Sequence, residues 1–157
     1  MTIAEAVGER PGTQIVMSVG PILDVAHFKS LPKNAIVVNH VPQIDLLERS
    51  TLCITHAGLN TALESLAQGV PMVAIPITND QPGVAARIVY SKTGLALPLP
   101  ELTTPKLASL IDEVLTNGIY RKNAQAMKRA IAKTNGLEKA VDLLEEAFQL
   151  SRETFAQ

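Results

Sequence analysis

The sequence contains no tryptophan, and aromatic residues make up only 3% of it. Any core must therefore be assembled from Val, Ile, Leu and Ala, whose branched or short side chains interdigitate without rings. A single cysteine, Cys53, excludes an internal disulfide, and its place in Leu52-Cys53-Ile54 suits a small buried side chain. Neither sign of charge is in excess, with 14 basic against 15 acidic side chains and a net of -1. That balance offers nucleic acid no electrostatic footprint and a membrane surface no polybasic clamp. No apolar run approaches the roughly 18 residues of a membrane span. The opening MTIAEAVGERPG also lacks the basic-then-apolar order of a secretion signal. A cytoplasmic location is the expectation that follows.

What is present is 157 residues, 46% of them hydrophobic, enough for one domain covering residues 1–157. Short apolar, β-branched runs recur at 13–20, 35–41, 50–56, 71–77 and, weakly, 94–99. Helix-like segments lie between them at 42–49, 59–69 and 81–92. Strands that are apolar on both faces and alternate with helices predict an α/β fold, a Rossmann-like parallel sheet covered on both sides. From Thr103 onward three amphipathic segments, 102–117, 118–135 and 136–150, predict a helical tail that packs on the sheet. Thr103 or Thr104 is positioned to cap the first, with Pro105 in its first turn.

Ligands of parallel α/β sheets gather at the carboxyl ends of strands, beside the amino ends of the following helices. The strand ending at Thr55 runs into His56-Ala57-Gly58-Leu59-Asn60-Thr61 and then a helix, an arrangement that suits an anion. Gly58 would admit a close phosphate, His56 would donate from its imidazole, and Asn60 and Thr61 would add side-chain hydrogen bonds. Glu64, one turn beyond Asn60, is placed to accept from the paired hydroxyls of a ribose. Thr61-Ala62-Leu63-Glu64 equally fits a T-x-x-E capping box, which needs no ligand. Asp80 and Gln81 follow the next strand and could receive sugar hydroxyls, or could cap a helix with Pro82 in its first turn. His40, Val41 and Gln43 follow an earlier strand, where a flat ring and backbone amides could meet a base. Gly69-Val70-Pro71 reads as an ordinary helix stop. The three histidines lack metal-ligand spacing with each other or with carboxylates, so no metal is expected.

Taken in order, His40-Val41-Pro42-Gln43, His56 to Thr61, Glu64, Gly69-Val70-Pro71 and Asp80-Gln81 resemble the signature of the UDP-glucuronosyl/UDP-glucosyltransferase family. Bacterial macrolide and zeaxanthin glycosyltransferases are the most similar branch. The resemblance implies the C-terminal, donor-binding half of a GT-B enzyme, a hexosyltransferase that inverts the anomeric carbon without a metal. It implies that His56 meets the pyrophosphate and stabilises the leaving group, and that Gly58, Asn60 and Thr61 line the phosphates. Glu64 would hold the ribose, Asp80 and Gln81 the transferred sugar, and His40, Val41 and Gln43 the base. The implied donor is a UDP-sugar, UDP-glucose first, and no cofactor is implied.

Two departures from the pattern matter. His40 stands where the family has a base-stacking Trp, which leaves UDP and dTDP both open. The family's acceptor pocket and general-base histidine belong to an N-terminal domain, and a strand precedes the segment TIAEAVGERPG. Neither is in these 157 residues. The expectation is that Met1 is not the native start, that the sheet has an exposed edge or pairs with another chain, and that the chain alone binds nucleotide without transferring sugar.

Three other readings compete. One is a non-catalytic donor-binding subunit docked on a separate acceptor protein, for instance at a membrane. Another is a nucleotide-sugar 2-epimerase, against which Asp80-Gln81 and the HVPQ stretch speak. The third is a nicotinamide-dependent dehydrogenase, for which no G-x-G-x-x-G follows a strand.

Overall fold

A computed structural model describes residues 2–8, 12–28 and 31–148. Each predicted strand forms, but only its most apolar part enters a ladder. The strands are β1 (Ile15–Ser18), β2 (Ala35–Val38), β3 (Cys53–Thr55), β4 (Met72–Ala74) and β5 (Gly94–Ala96). The helices are α1 (Thr2–Val7), α2 (Gln43–Glu48), α3 (Leu59–Gln68), α4 (Gln81–Tyr90), α5 (Thr104–Thr116), α6 (Gly118–Ile131) and α7 (Gly136–Phe148). Two short 3₁₀ turns, Val25–His27 and Leu99–Glu101, were not foreseen in the sequence. Residues 9–11 of the opening segment and 149–150 of the last predicted helix lie outside the described residues.

All strand pairs are parallel, as expected, but the ladders form two pieces rather than one continuous sheet. β1 pairs with β2, Ile15 opposite Ala35, and β3-β4-β5 form a separate three-stranded sheet. Ile15 and Ile54 pack against the same apolar cluster, yet among the described residues no strand bridges β1 to β3. In the second sheet Cys53 lies opposite Met72, and Met72 opposite Gly94. A Cβ on Gly94 would sit 2.0 Å from the Met72 carbonyl oxygen, so this β4–β5 approach admits only glycine.

Two apolar clusters cover the two faces of β4, because successive side chains point to opposite sides. Val73 faces Ala6 and Val7 of α1 and Leu107, Ile111 and Val114 of α5. Met72 and Ala74 face Ala62 and Leu66 of α3, Ala85 and Ile88 of α4, and Ala124 of α6. The expected helix-sheet-helix layering is thus realised around β4. Gly69 ends α3 in the left-handed region, at φ 69°, and its carbonyl accepts from Gln125 Nε2 at 3.2 Å, while Pro71 feeds β4. Thr103 caps α5, its hydroxyl accepting from the Lys106 amide at 3.4 Å, with Pro105 in the first turn.

The helical tail packs on the sheet only in part, which corrects the sequence expectation. α5 covers β4 and β5, whereas α6 rests on α3 through the fully buried Ala124. None of the residues of α7 is buried. Amphipathic periodicity establishes that a helix has an apolar face, not which neighbour meets it.

Candidate functional site

The register of β3 on β4 sets Thr55 opposite Ala74, so both strands release their loops from one sheet edge. After Thr55 the chain turns into α3 within three residues. Ala57 makes that turn at φ 65°, a conformation that costs a non-glycine residue about 1–2 kcal/mol. Its side chain is fully buried in the apolar cluster under α3, and its amide donates to the Thr55 hydroxyl at 3.2 Å.

Gly58 follows as the N-cap of α3, where an added side chain would have to displace the His56 ring. A Cβ there would lie 2.5 Å from His56 Nε2, which means the imidazole folds back over the glycine backbone. No side chain caps the helix, and among the described residues no acceptor meets the amides of Gly58, Leu59, Asn60 or Thr61. His56, Gly58, Leu59, Asn60 and Thr61 together line an open cavity of about 360 Å³. Free amides, the positive end of a ten-residue helix and an exposed imidazole converge on it, a combination suited to an anion.

The capping-box reading of Thr61 and Glu64 is not realised, because the N-cap of α3 is Gly58, three residues before Thr61. Thr61 is already the third helical residue. Its hydroxyl instead accepts from Gln43 Nε2 at 3.2 Å, and the same Gln43 amide donates to the Glu64 carboxylate. Gln43, at the start of α2, is thereby tied to α3.

His40 and Val41 lie between β2 and α2, the imidazole exposed and the valine half-buried. The loop before them is held by Asn39, whose side-chain amide donates to the carbonyls of Gly20 (2.8 Å) and Leu23 (2.7 Å). Asp80 and Gln81 open α4 after β4, on the same sheet edge, and do not line the cavity. Asp80 is the N-cap residue, but its carboxylate makes no cap bond, so helix capping does not account for it. The Gln81 side-chain oxygen Oε1 accepts the amides of Ile77 (2.9 Å) and Thr78 (3.0 Å), which shapes the loop and keeps its NH₂ group available as a donor. Sequence reading missed Thr55 and Asn39, since a threonine ending a strand and an asparagine in a loop carry no motif of their own.

The family profile for UDP-glucoronosyl and UDP-glucosyl transferase matches residues 1–143. The UDP-glucosyltransferase YojK of Bacillus subtilis is 32% identical over 134 residues, 85% of this chain and 33% of the relative. The zeaxanthin glucosyltransferase of Pantoea ananas is 31% identical over 147 residues, 92% of this chain and 34% of the relative. Among solved structures, the glycotransferase of kitacinnamycin superposes with a TM-score of 0.85 at 29% identity, covering 92% of this chain and 38% of that one. The chain therefore spans about a third of the length of the curated relatives it matches. The α/β architecture is that of the GT-B glycosyltransferases, and the chain belongs to the UDP-glucoronosyl and UDP-glucosyl transferase family.

Proposed function

We propose that this chain is the nucleotide-sugar binding domain of an inverting glycosyltransferase, with UDP-glucose as its first-choice donor and a dTDP-sugar as the second. The observation that carries the reading is the cavity under His56, where uncapped amides of α3 lie one helical turn from the Glu64 carboxylate. A nucleoside diphosphate presents an anionic pyrophosphate for such amides and a ribose diol for such a carboxylate. Each hydrogen bond to a charged oxygen contributes roughly 1.5–3 kcal/mol, so a few suffice for micromolar to millimolar affinity.

In this reading His56 and the α3 amides hold the diphosphate and stabilise it as it leaves. Glu64, oriented by Gln43, takes the ribose hydroxyls. Asp80 accepts from the sugar and Gln81 donates to it, while His40, Val41 and the backbone near Gln43 meet the base. Inversion needs a base on the face of the sugar opposite the diphosphate, and the acceptor pocket with that base is assigned to the remaining two thirds of a longer polypeptide. The acceptor is a small lipophilic alcohol, and the setting is cytoplasmic, with room for peripheral membrane contact. Among the described residues no helix is long and apolar enough to cross a membrane.

Calorimetry and thermal melts with UDP, dTDP, GDP, UDP-glucose and NAD test the reading. UDP or dTDP at about 100 times its dissociation constant should stabilise the fold by roughly 2.7 kcal/mol, and His56→Ala and Glu64→Ala should abolish the gain. Equal stabilisation by NAD and GDP, or undiminished binding in both variants, would refute it.

A further inference from the structure

We propose that Thr55 is a positioning residue of the anion site, acting through Ala57 without touching the ligand. The inference rests on the nucleotide-binding reading above and concerns how the amides of that site are aimed. Thr55 is 8% exposed and pairs with Ala74 through the β3–β4 ladder, so its backbone is anchored. Its hydroxyl is the acceptor for the buried Ala57 amide, at 3.2 Å. Ala57 is fully buried and sits at φ 65°, where an L side chain rarely stays unless its surroundings compel it.

The consequence runs along the chain. If the Ala57 amide loses its acceptor, it is a buried donor without a partner, and the turn relieves this by leaving the left-handed region. Gly58 then rotates with it. The imidazole of His56, packed against Gly58, and the uncapped amides that follow would no longer converge on the cavity. Gln43 and Glu64 are joined to each other one turn further along and do not depend on that turn. Loss of the Thr55 hydroxyl should therefore weaken recognition of phosphate and leave recognition of the nucleoside alone.

The test is calorimetric titration of the chain with UDP and with uridine, in the wild type, Thr55→Val, Thr55→Ser and Thr55→Val combined with Ala57→Gly. Thr55→Val should lower UDP affinity about tenfold while changing uridine affinity less than about twofold. Thr55→Ser, which keeps the hydroxyl, should bind like the wild type. Glycine at position 57 adopts positive φ without strain, so the double variant should recover part of the loss; it also provides a foldable host if Thr55→Val alone does not fold. A UDP-to-uridine ratio in Thr55→Val equal to that of the wild type, or an equal loss in Thr55→Ser, would overturn the proposal. A wild type that does not prefer UDP to uridine would instead sink the nucleotide-binding reading itself.

Discussion

Met72, Val73 and Ala74 of β4 are each 0% exposed, whereas Ile36 of β2 keeps 44% of its surface in water. Both segments are short apolar runs, and residue by residue β2 is the more β-branched. The difference lies in what surrounds them. β4 has a strand on each edge and helices on both faces, while β2 has one ladder partner, β1. Burial of a strand is thus a property of its neighbours. The same contrast separates the loops, since those leaving β3 and β4 share one edge, the loop after β3 carries the groups that line the cavity, and the loop after β2 is tied to α3 through Gln43.

The comparison can be broken most severely at Gly94. Gly94→Ala drives a Cβ against the Met72 carbonyl and the Ile88 side chain and should destabilise by about 3 kcal/mol or more, the upper range of overpacking. Urea unfolding would reveal it, and a loss under about 1 kcal/mol would mean β5 separates from β4 at little cost. Truncating the buried strand and the half-exposed one sharpens the contrast. Met72→Ala should cost about 2–5 kcal/mol and Ile36→Ala about 1 kcal/mol, so equal costs would deny that β2 is the less supported strand.

A smaller and local effect is expected at Gly58. The added methyl of Gly58→Ala displaces the His56 ring, which should weaken UDP about tenfold with little change in the melting temperature. Titration and a melt on the same sample separate these two outcomes.

The smallest effect is pH-dependent and belongs to the better-buried sheet. Burial pushes the Cys53 thiol above its ordinary 9.0, with the Ser65 hydroxyl opposing the shift. Its folded value is the raised one, so the unfolded chain loses the proton first. The stability this contributes is complete below the unfolded value and is lost as pH rises through the folded one. Denaturant midpoints measured from about pH 8 to about pH 10 should fall less in Cys53→Ala than in the wild type. Tyr120, raised by burial and by Glu113, titrates in both proteins and cancels in the difference.

Much of this was legible in one dimension. Alternation of apolar runs with helical periodicity placed every strand and the helices between them, because ladder and helix hydrogen bonds depend on patterns only a few residues long. His56, Gly58, Asn60 and Thr61 could be assigned to one strand-to-helix turn for the same reason, and the structure brings all four to one cavity. Less legible was the start of α3. Thr61 and Glu64 satisfy the spacing of a capping box, but the helix begins at Leu59 and Thr61 bonds to a glutamine 18 residues away.

The amino-acid sequence by itself determined the α/β class, the parallel order of its units and the residues that crowd one sheet edge. It did so because period, branching and glycine placement act locally on the backbone. Only the tertiary structure decided that the ladders form two pieces, that α7 buries none of its residues, that Gln43 turns to Glu64, and that Thr55 restrains Ala57. Those outcomes depend on which polar groups find partners and which apolar faces find cover once distant segments meet. A pattern of neighbouring residues does not contain that information.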